Sequence, residues 1–403
     1  MALDSRDAGY VERMNGLTDS TARQDSLRNH SARRVLSLLF LGFLLFALLE
    51  VLIFRPEVYG RFVEPHSYPG YMEMLISRER SLAPDDSRFR MTIVGDSRIA
   101  EGFSEKRAEE LEEGRWRFIN NAIPGSTPRV WYYILRETDP RRDRSDFVVI
   151  PLQDFPDFDA FEDLSDRLLD LRIAIFHLGL SDLPGLMRSF DNWSDRWRVF
   201  RTVLLKGGTL KKDLQDLLSD PWRRLHRIEQ SHERWARSRY EYPGREGSLE
   251  GLQYDPSTGE FVFPASLPDR QRKLLLRSLS EPPQRGVMRR YRQTWLTAIV
   301  DYYRNTSTHV VFLRMPRGPV VAPYRRGAGS RGIVFRLARE PNVELLPEHL
   351  FDALERPGYF FDSVHMNRTG REKFTEILVR VLEELQASSN SDHSSVNRTA
   401  TGT

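Results

Sequence analysis

The run Met91-Thr-Ile-Val-Gly-Asp-Ser-Arg98 is the stretch on which the fold turns. Its first four residues are apolar or β-branched, and Gly95-Asp96-Ser97 then supplies a tight turn and the opening of a helix. A buried strand that turns directly into a helix holds a serine hydroxyl at the open, carboxyl end of a sheet, where a substrate can reach it. Asp and Ser at such a place also suit a plain helix cap. Three more apolar runs have the character of buried strands: Phe147–Ile150, His309–Leu313 and, less regularly, Val343–Leu346. Helical patterns separate them at Glu105–Glu113, Val130–Glu137, Tyr291–Tyr303 and Gly370–Leu385. Strands alternating with helices predict an α/β fold with a mainly parallel sheet.

A chain of 403 residues, 40% hydrophobic and 29% charged, can fill the core of one large domain or two small ones. Lys and Arg number 60 against 57 for Asp and Glu, and the resulting net charge of +3 is too small an excess to imply nucleic-acid binding. With no cysteine, the chain has no disulfide, thiolate metal site or Cys nucleophile, which suits an oxidising compartment. No internal repeat, phosphate-binding loop or dinucleotide glycine pattern is present.

Residues Val35 to Phe54 form an apolar stretch broken by one charge, Glu50, near its distal end. Its length matches the ~20 residues that cross a bilayer core. Arg28, Arg33 and Arg34 precede it and only Arg55 closely follows, so the positive-inside rule predicts a single-pass anchor with a cytoplasmic N-terminus and an extracytoplasmic bulk. A cleaved signal peptide is the competing expectation, but the stretch exceeds the ~7–15 residues of a signal core and no small-x-small site follows. Residues 1–32 and 386–403 are rich in Ser, Asn and Asp or Arg and are expected to be disordered tails around a folded region at 60–385.

From about 160 to 285 the alternation fails. Trp193, Trp197, Trp222 and Trp235 lie here among arginines in helical surroundings, which predicts a helical insertion. Such a Trp/Arg mixture suits a membrane interface or anionic head groups. The plainer expectation is an amphipathic cap packed on the sheet. Tyr240–Phe263, with its Pro, Gly and polar residues, reads as a loop or small hairpin.

Near the end of the folded part stands Phe361-Asp-Ser-Val-His-Met366. A carboxylate three residues before a histidine can accept a proton from one imidazole nitrogen while the other faces a serine. Ser97 as nucleophile, His365 as base and Asp362 as its orienter therefore point to acyl transfer, although a surface Asp and His at a helix start would look alike. His177, His226, His232, His309 and His349 lack metal-ligand spacing, so neither a metal nor another cofactor is expected. Arg314 and Arg317 close a predicted strand, where a surface role is the plainer expectation and anion binding the sharper one.

Taken together, these blocks resemble the SGNH, or GDSL, hydrolase superfamily. Thr92–Gly102 is similar to its first block and Asp362–His365 to its last. The resemblance implies a three-layer α/β/α domain with Ser97, His365 and Asp362 as the triad. Asn120-Asn-Ala-Ile-Pro-Gly-Ser126 resembles the second block, which implies that the Gly125 N–H joins that of Ser97 in an oxyanion hole. The third block departs from the family's Gly-x-Asn-Asp: the chain reads Pro151-Leu-Gln-Asp-Phe155, where the Gln153 amide can donate as Asn does. A Pro-Gln pair at that place, with one anchor, resembles the membrane-anchored branch that includes the D-alanine transfer proteins, and more loosely the polysaccharide O-acetylation proteins. The function so implied is an anchored serine esterase or acyltransferase working on an acyl ester or an acylated envelope glycan or lipid, with a membrane-bound acyl-donor partner. A lipase-type hydrolase with residues 160–285 as lid, and a catalytically weak glycan-binding scaffold, are the alternatives.

Overall fold

The computed structural model describes residues 34–82, 88–155, 164–237, 242–255, 257–280, 289–320 and 332–400. The expected tail 1–32 lies outside them. The chain begins with α1 (Arg34–Ile53), a helix long and apolar enough to cross a membrane, and a short turn leads to α2 (Tyr68–Ser81). Then come β1 (Phe89–Ile93), α3 (Ser97–Gly102), α4 (Glu105–Leu111), β2 (Trp116–Asn120), α5 (Pro128–Thr138) and β3 (Phe147–Leu152). The expected insertion is helical: α6 (Leu164–Ile173), α7 (Leu183–Arg188), α8 (Trp193–Leu204), α9 (Lys206–Ser219) and α10 (Pro221–Arg237). A small antiparallel hairpin, β4 (Gln253–Asp255) and β5 (Glu260–Val262), and α11 (Asp269–Ser280) follow. The alternating pattern resumes with α12 (Arg289–Tyr303), β6 (His309–Arg314), α13 (Ile333–Leu337) and β7 (Val343–Leu345), and α14 (Arg368–Ala400) ends the described chain.

Five strands form one parallel sheet in the order β2-β1-β3-β6-β7. The chain winds outward in one direction from β1 to β2 and in the other from β3 to β7, so the crossover direction reverses between β1 and β3. In doubly wound sheets, ligands bind in the crevice beyond the strand ends at that reversal. Side chains alternate strictly across the sheet. Val148, Ile150, Val310 and Phe312 face one core with α2, α5 and α12, and Met91, Ile93, Val149 and Val311 face the other with α3, α4 and α14. Both faces are covered, which is why the interior strands β1, β3 and β6 are largely apolar.

Two expectations need correction. β2 was not anticipated, because Trp116-Arg-Phe-Ile-Asn120 is an edge strand that mixes Arg117 into its apolar run. The boundary at residue 385 is also passed: α14 runs on to Ala400 through Ser- and Asn-rich sequence, since extending a helix already nucleated on the core costs little per residue. The insertion packs on the sheet as an amphipathic cap, through Leu186, Phe190, Val199 and Val203 against the core that holds Val148 and Ile150, with three of its tryptophans turned outward. Trp193, Trp197 and Trp222 are 71%, 55% and 80% exposed, while Val199, Val203 and Leu210 make the inward contacts.

A separate small core of Phe54, Tyr59, Val63, Ile175, Phe176 and Leu210 joins the end of α1 to α9. Glu50, the charge inside the apolar helix, is buried there and accepts the Gly207 N–H at 2.9 Å.

Candidate active site

The turn after β1 is shaped by a close approach. A Cβ on Gly95 would stand 3.0 Å from Ile99 and 3.1 Å from Pro151 of β3, so only glycine lets the strand end and the following helix meet. Asp96 is the helix cap: its Oδ1 accepts the Arg98 N–H at 2.8 Å, and the buried Arg98 guanidinium donates to both carboxylate oxygens, through Nε to Oδ1 at 3.1 Å and through Nη2 to Oδ2 at 2.7 Å. Capping thus falls to Asp96 rather than to Ser97, which is the first residue of α3. The Ser97 N–H, in the first helical turn, has no intrahelical carbonyl to bond.

Ser97 Oγ lies 2.9 Å from His365 Nε2, and His365 Nδ1 lies 2.8 Å from Asp362 Oδ2. The three residues come together across 268 positions of sequence because β1 is central and the loop before α14 returns over the same sheet edge. That loop is held closed. Asp362 Oδ1 accepts the backbone N–H groups of Val364 and His365 at 2.9 and 2.7 Å, and the Phe361 N–H donates to the His365 carbonyl at 2.9 Å. Asn367 then caps α14 through Gly370 and donates to the carbonyls of Gly247 and Gly358, both at 2.8 Å.

Electrostatics follow from this packing. Burial alone would raise the Asp362 pKa, but the hydrogen bond and charge of His365 with two backbone N–H groups hold it below the usual carboxylate range. For His365, burial would lower the pKa; the hydrogen bond and charge of Asp362, and beyond it the charges of Glu101 and Asp96, raise it above the ordinary value. With Asp362 fixing Nδ1 as donor, Nε2 of the neutral imidazole is the acceptor facing the serine.

Glu101 and Arg245 were not foreseen. Glu101 sits one helical turn after Ser97 on α3, and the Arg245 Nη2 donates to it at 2.8 Å with its guanidinium 5.0 Å from the Phe361 ring. The i,i+4 spacing from Ser97 was the available signal for Glu101. Arg245 had none, because its approach depends on how the chain returns from the insertion.

Gly125 and Gln153 stand on neighbouring loops of the same edge. Gly125, at φ +73°, belongs to the loop after β2, which is stitched to the Gly95–Ser97 turn: Ile123 N–H and Ser126 Oγ both donate to the Gly95 carbonyl at 2.8 Å. Gln153 is the residue after β3 and half-buried, two positions from the Pro151 that touches the Gly95 turn.

The arginines after β6 do not behave as surface residues. Arg314 is 1% exposed, donates to the Glu348 and Met315 carbonyls at 2.6 and 2.9 Å, and shares Glu355 and Asp352 with Arg317. Both guanidinium groups clamp the segment 348–355, so their partners are internal carboxylates rather than a ligand. His177 is likewise structural, placed between Glu73 and Glu137 at 2.6 and 3.4 Å. Among the described residues no group of three or more His, Asp or Glu side chains is arranged to hold a metal ion. No protein-family model matches the chain, and no curated protein matches it.

Proposed function

We propose that the protein is a membrane-anchored serine esterase or acyltransferase of the SGNH type, acting outside the cytoplasm on acyl esters of envelope glycan or lipid. The observation that carries this reading is the unbroken line of hydrogen bonds Asp362–His365–Ser97 at the crossover reversal of the sheet. A half-buried serine and histidine that merely stabilised a fold would not need a carboxylate to orient the ring.

In the first half-reaction Ser97 Oγ attacks the ester carbonyl while His365 Nε2 takes its proton, and Asp362 stabilises the imidazolium that forms. The Ser97 and Gly125 N–H groups and the Gln153 amide donate to the oxyanion. Collapse breaks the ester C–O bond, and the leaving alkoxide receives the proton from His365. In the second half, His365 deprotonates the incoming hydroxyl, which attacks the acyl-Ser97 carbonyl; collapse breaks the Ser97 Oγ–acyl bond, and His365 returns the proton to Ser97. Water gives hydrolysis and a sugar hydroxyl gives transfer, according to how well the site excludes water. The apolar α1 supports a site held beside a bilayer, where acyl donors and envelope acceptors meet.

The test is a fluorophosphonate probe on the full-length protein in detergent, read by intact mass and peptide mapping. A single adduct on Ser97, absent from Ser97→Ala and from His365→Ala, is the expected result. Equal labelling of the Ser97→Ala variant, or none where a reference serine esterase labels fully, sinks the enzymatic reading.

A further inference from the structure

Between the end of α1 and the loop carrying Gly125 lies a cavity of about 580 Å³, a size that accommodates a small ligand or a lipid head. Its walls are apolar and aromatic, from Tyr68, Ile123, Pro124 and Leu210. Two of these connect it to regions already described. Leu210 also belongs to the small core around Phe54, at the outlet of α1. Tyr68 stands beside Gly125, 3.8 Å from where a Cβ on that residue would be.

The polar lining, which also holds His66, Ser67 and Thr209, carries two cations and one carboxylate. Arg172 and Lys212 are exposed side chains at the cavity, whereas its carboxylate, Asp213, is taken up by the Tyr59 hydroxyl at 2.7 Å, the Glu64 N–H at 3.1 Å and Arg224 at 3.0 Å. Apolar walls with unspent positive charge select an amphiphile with an anionic head.

The surroundings name its source. Val58 and Phe62 just after α1 are 45% and 40% exposed, and Leu218 and Trp222, one turn apart across the α9–α10 corner, are 72% and 80% exposed. Arg224 ties the two groups together by donating to the Phe62 carbonyl at 2.9 Å. Exposed aliphatic and Trp side chains gathered at the foot of an apolar helix fit the interfacial zone of the bilayer that this helix would cross.

We infer that the cavity binds the phosphate-bearing head of an acidic membrane lipid, entering from the bilayer at the foot of α1, and that an acyl ester of this class is the donor to Ser97. The inference rests on the anchored acyltransferase reading for its chemistry, but the binding site stands on the cavity itself. In the transfer, the Ser97 Oγ–acyl bond forms as the lipid ester C–O bond breaks, and the proton held by His365 goes to the lipid hydroxyl released.

The experiment uses the full-length protein in phosphatidylcholine nanodiscs containing phosphatidylglycerol with a diazirine near its head group. Photolysis is expected to leave adducts on the peptides holding Tyr68 and Ile123–Pro124. Narrowing the cavity with Thr209→Trp, and separately reversing charge with the exposed Lys212→Glu, should cut these adducts at least fivefold while adducts on α1 stay constant. Adducts confined to α1, or insensitive to both variants, overturn the inference. So does their full competition by soluble glycerol phosphate, which would show that the head alone is recognised. Fluorophosphonate labelling of the same samples keeps the two readings apart. Lipid adducts without Ser97 labelling refute the serine mechanism and leave the lipid site standing, and Ser97 labelling without lipid adducts does the reverse.

Discussion

Two histidines in this molecule sit against carboxylates, and they are built for opposite ends. His177 is locked: its side chain is 2% exposed, and both ring nitrogens face carboxylates, Glu73 from α2 and Glu137 from α5. Burial would lower its pKa, but the paired hydrogen bonds and charges of Glu137 and Glu73 push it up to about 9, so it is a cation at neutral pH. His365 has one carboxylate, on Nδ1, and gives its other nitrogen to a hydroxyl. The first arrangement uses up the imidazole as a bridge between two helices of one layer, and the second leaves one nitrogen able to exchange a proton. What distinguishes the two histidines is the second partner, not the presence of a carboxylate.

Replacing each histidine should separate the two roles. His365→Ala is expected to lower kcat/KM for an activated ester on the order of 10⁴-fold or more, with the unfolding midpoint in urea nearly unchanged. His177→Gln should do the converse, costing about 3 kcal/mol in unfolding free energy by leaving the carboxylates Glu73 and Glu137 without their cation, the low end for a broken buried pair because both are partly exposed. The His177 variant that remains folded should keep most of its rate. If it instead loses rate as His365→Ala does, the contrast between staple and base is wrong. Gln153→Ala comes next, with an expected loss of about 100- to 1000-fold in kcat and little change in KM, since an oxyanion donor acts in the transition state.

That contrast also marks how far the residues alone could be read. The parallel sheet was legible because its interior strands β1, β3 and β6 are buried along nearly all their length and so are largely apolar; β2, at one edge, mixes Arg117 into its run and does not announce itself. Asp362 and His365 were legible because their geometry is local, closed within one turn. Their meeting with Ser97 was suggested only by which strand each followed. The role of His177 was not legible, since Glu73 and Glu137 lie 104 and 40 residues away. The same is true of Arg314, whose partners Glu348, Asp352 and Glu355 come from the segment after β7, and of Arg245, which reaches Glu101 from the far side of the insertion. Pairings set by tertiary approach leave no periodic trace in the chain.

Arg245→Ala is a finer probe of the candidate base. The guanidinium pairs with Glu101, whose charge is one of those raising His365, so its removal frees a negative charge near the imidazole. Rates at saturating substrate and high pH should fall by less than about tenfold, while the pH midpoint of kcat/KM moves upward. A midpoint that stays in place would mean that Glu101 is neutralised from elsewhere and that Arg245 only fastens the returning loop.

The smallest effects, and the most discriminating, lie in pH. Acting as a base, His365 must be neutral, so kcat/KM should rise with pH through a midpoint above the ordinary histidine value of about 6.5. Stability should move the other way. A histidine whose folded pKa is raised contributes fully below its unfolded value and loses that contribution as pH climbs through the folded one, which for His177 means a decline from about pH 6.5 to about 9. The depressed Asp362 adds the opposite edge: its contribution is present above about pH 4 and is lost as pH falls through its lowered folded value. Asp362→Asn should therefore lower the kinetic midpoint and remove the part of the alkaline stability decline that belongs to His365, by taking away the partner that raises it, while the part that runs up to about pH 9 stays because it belongs to His177. Should the substitution also abolish the decline toward pH 9, the two histidines would share a single network through α2, α5 and the sheet, and the division between base and staple would fail.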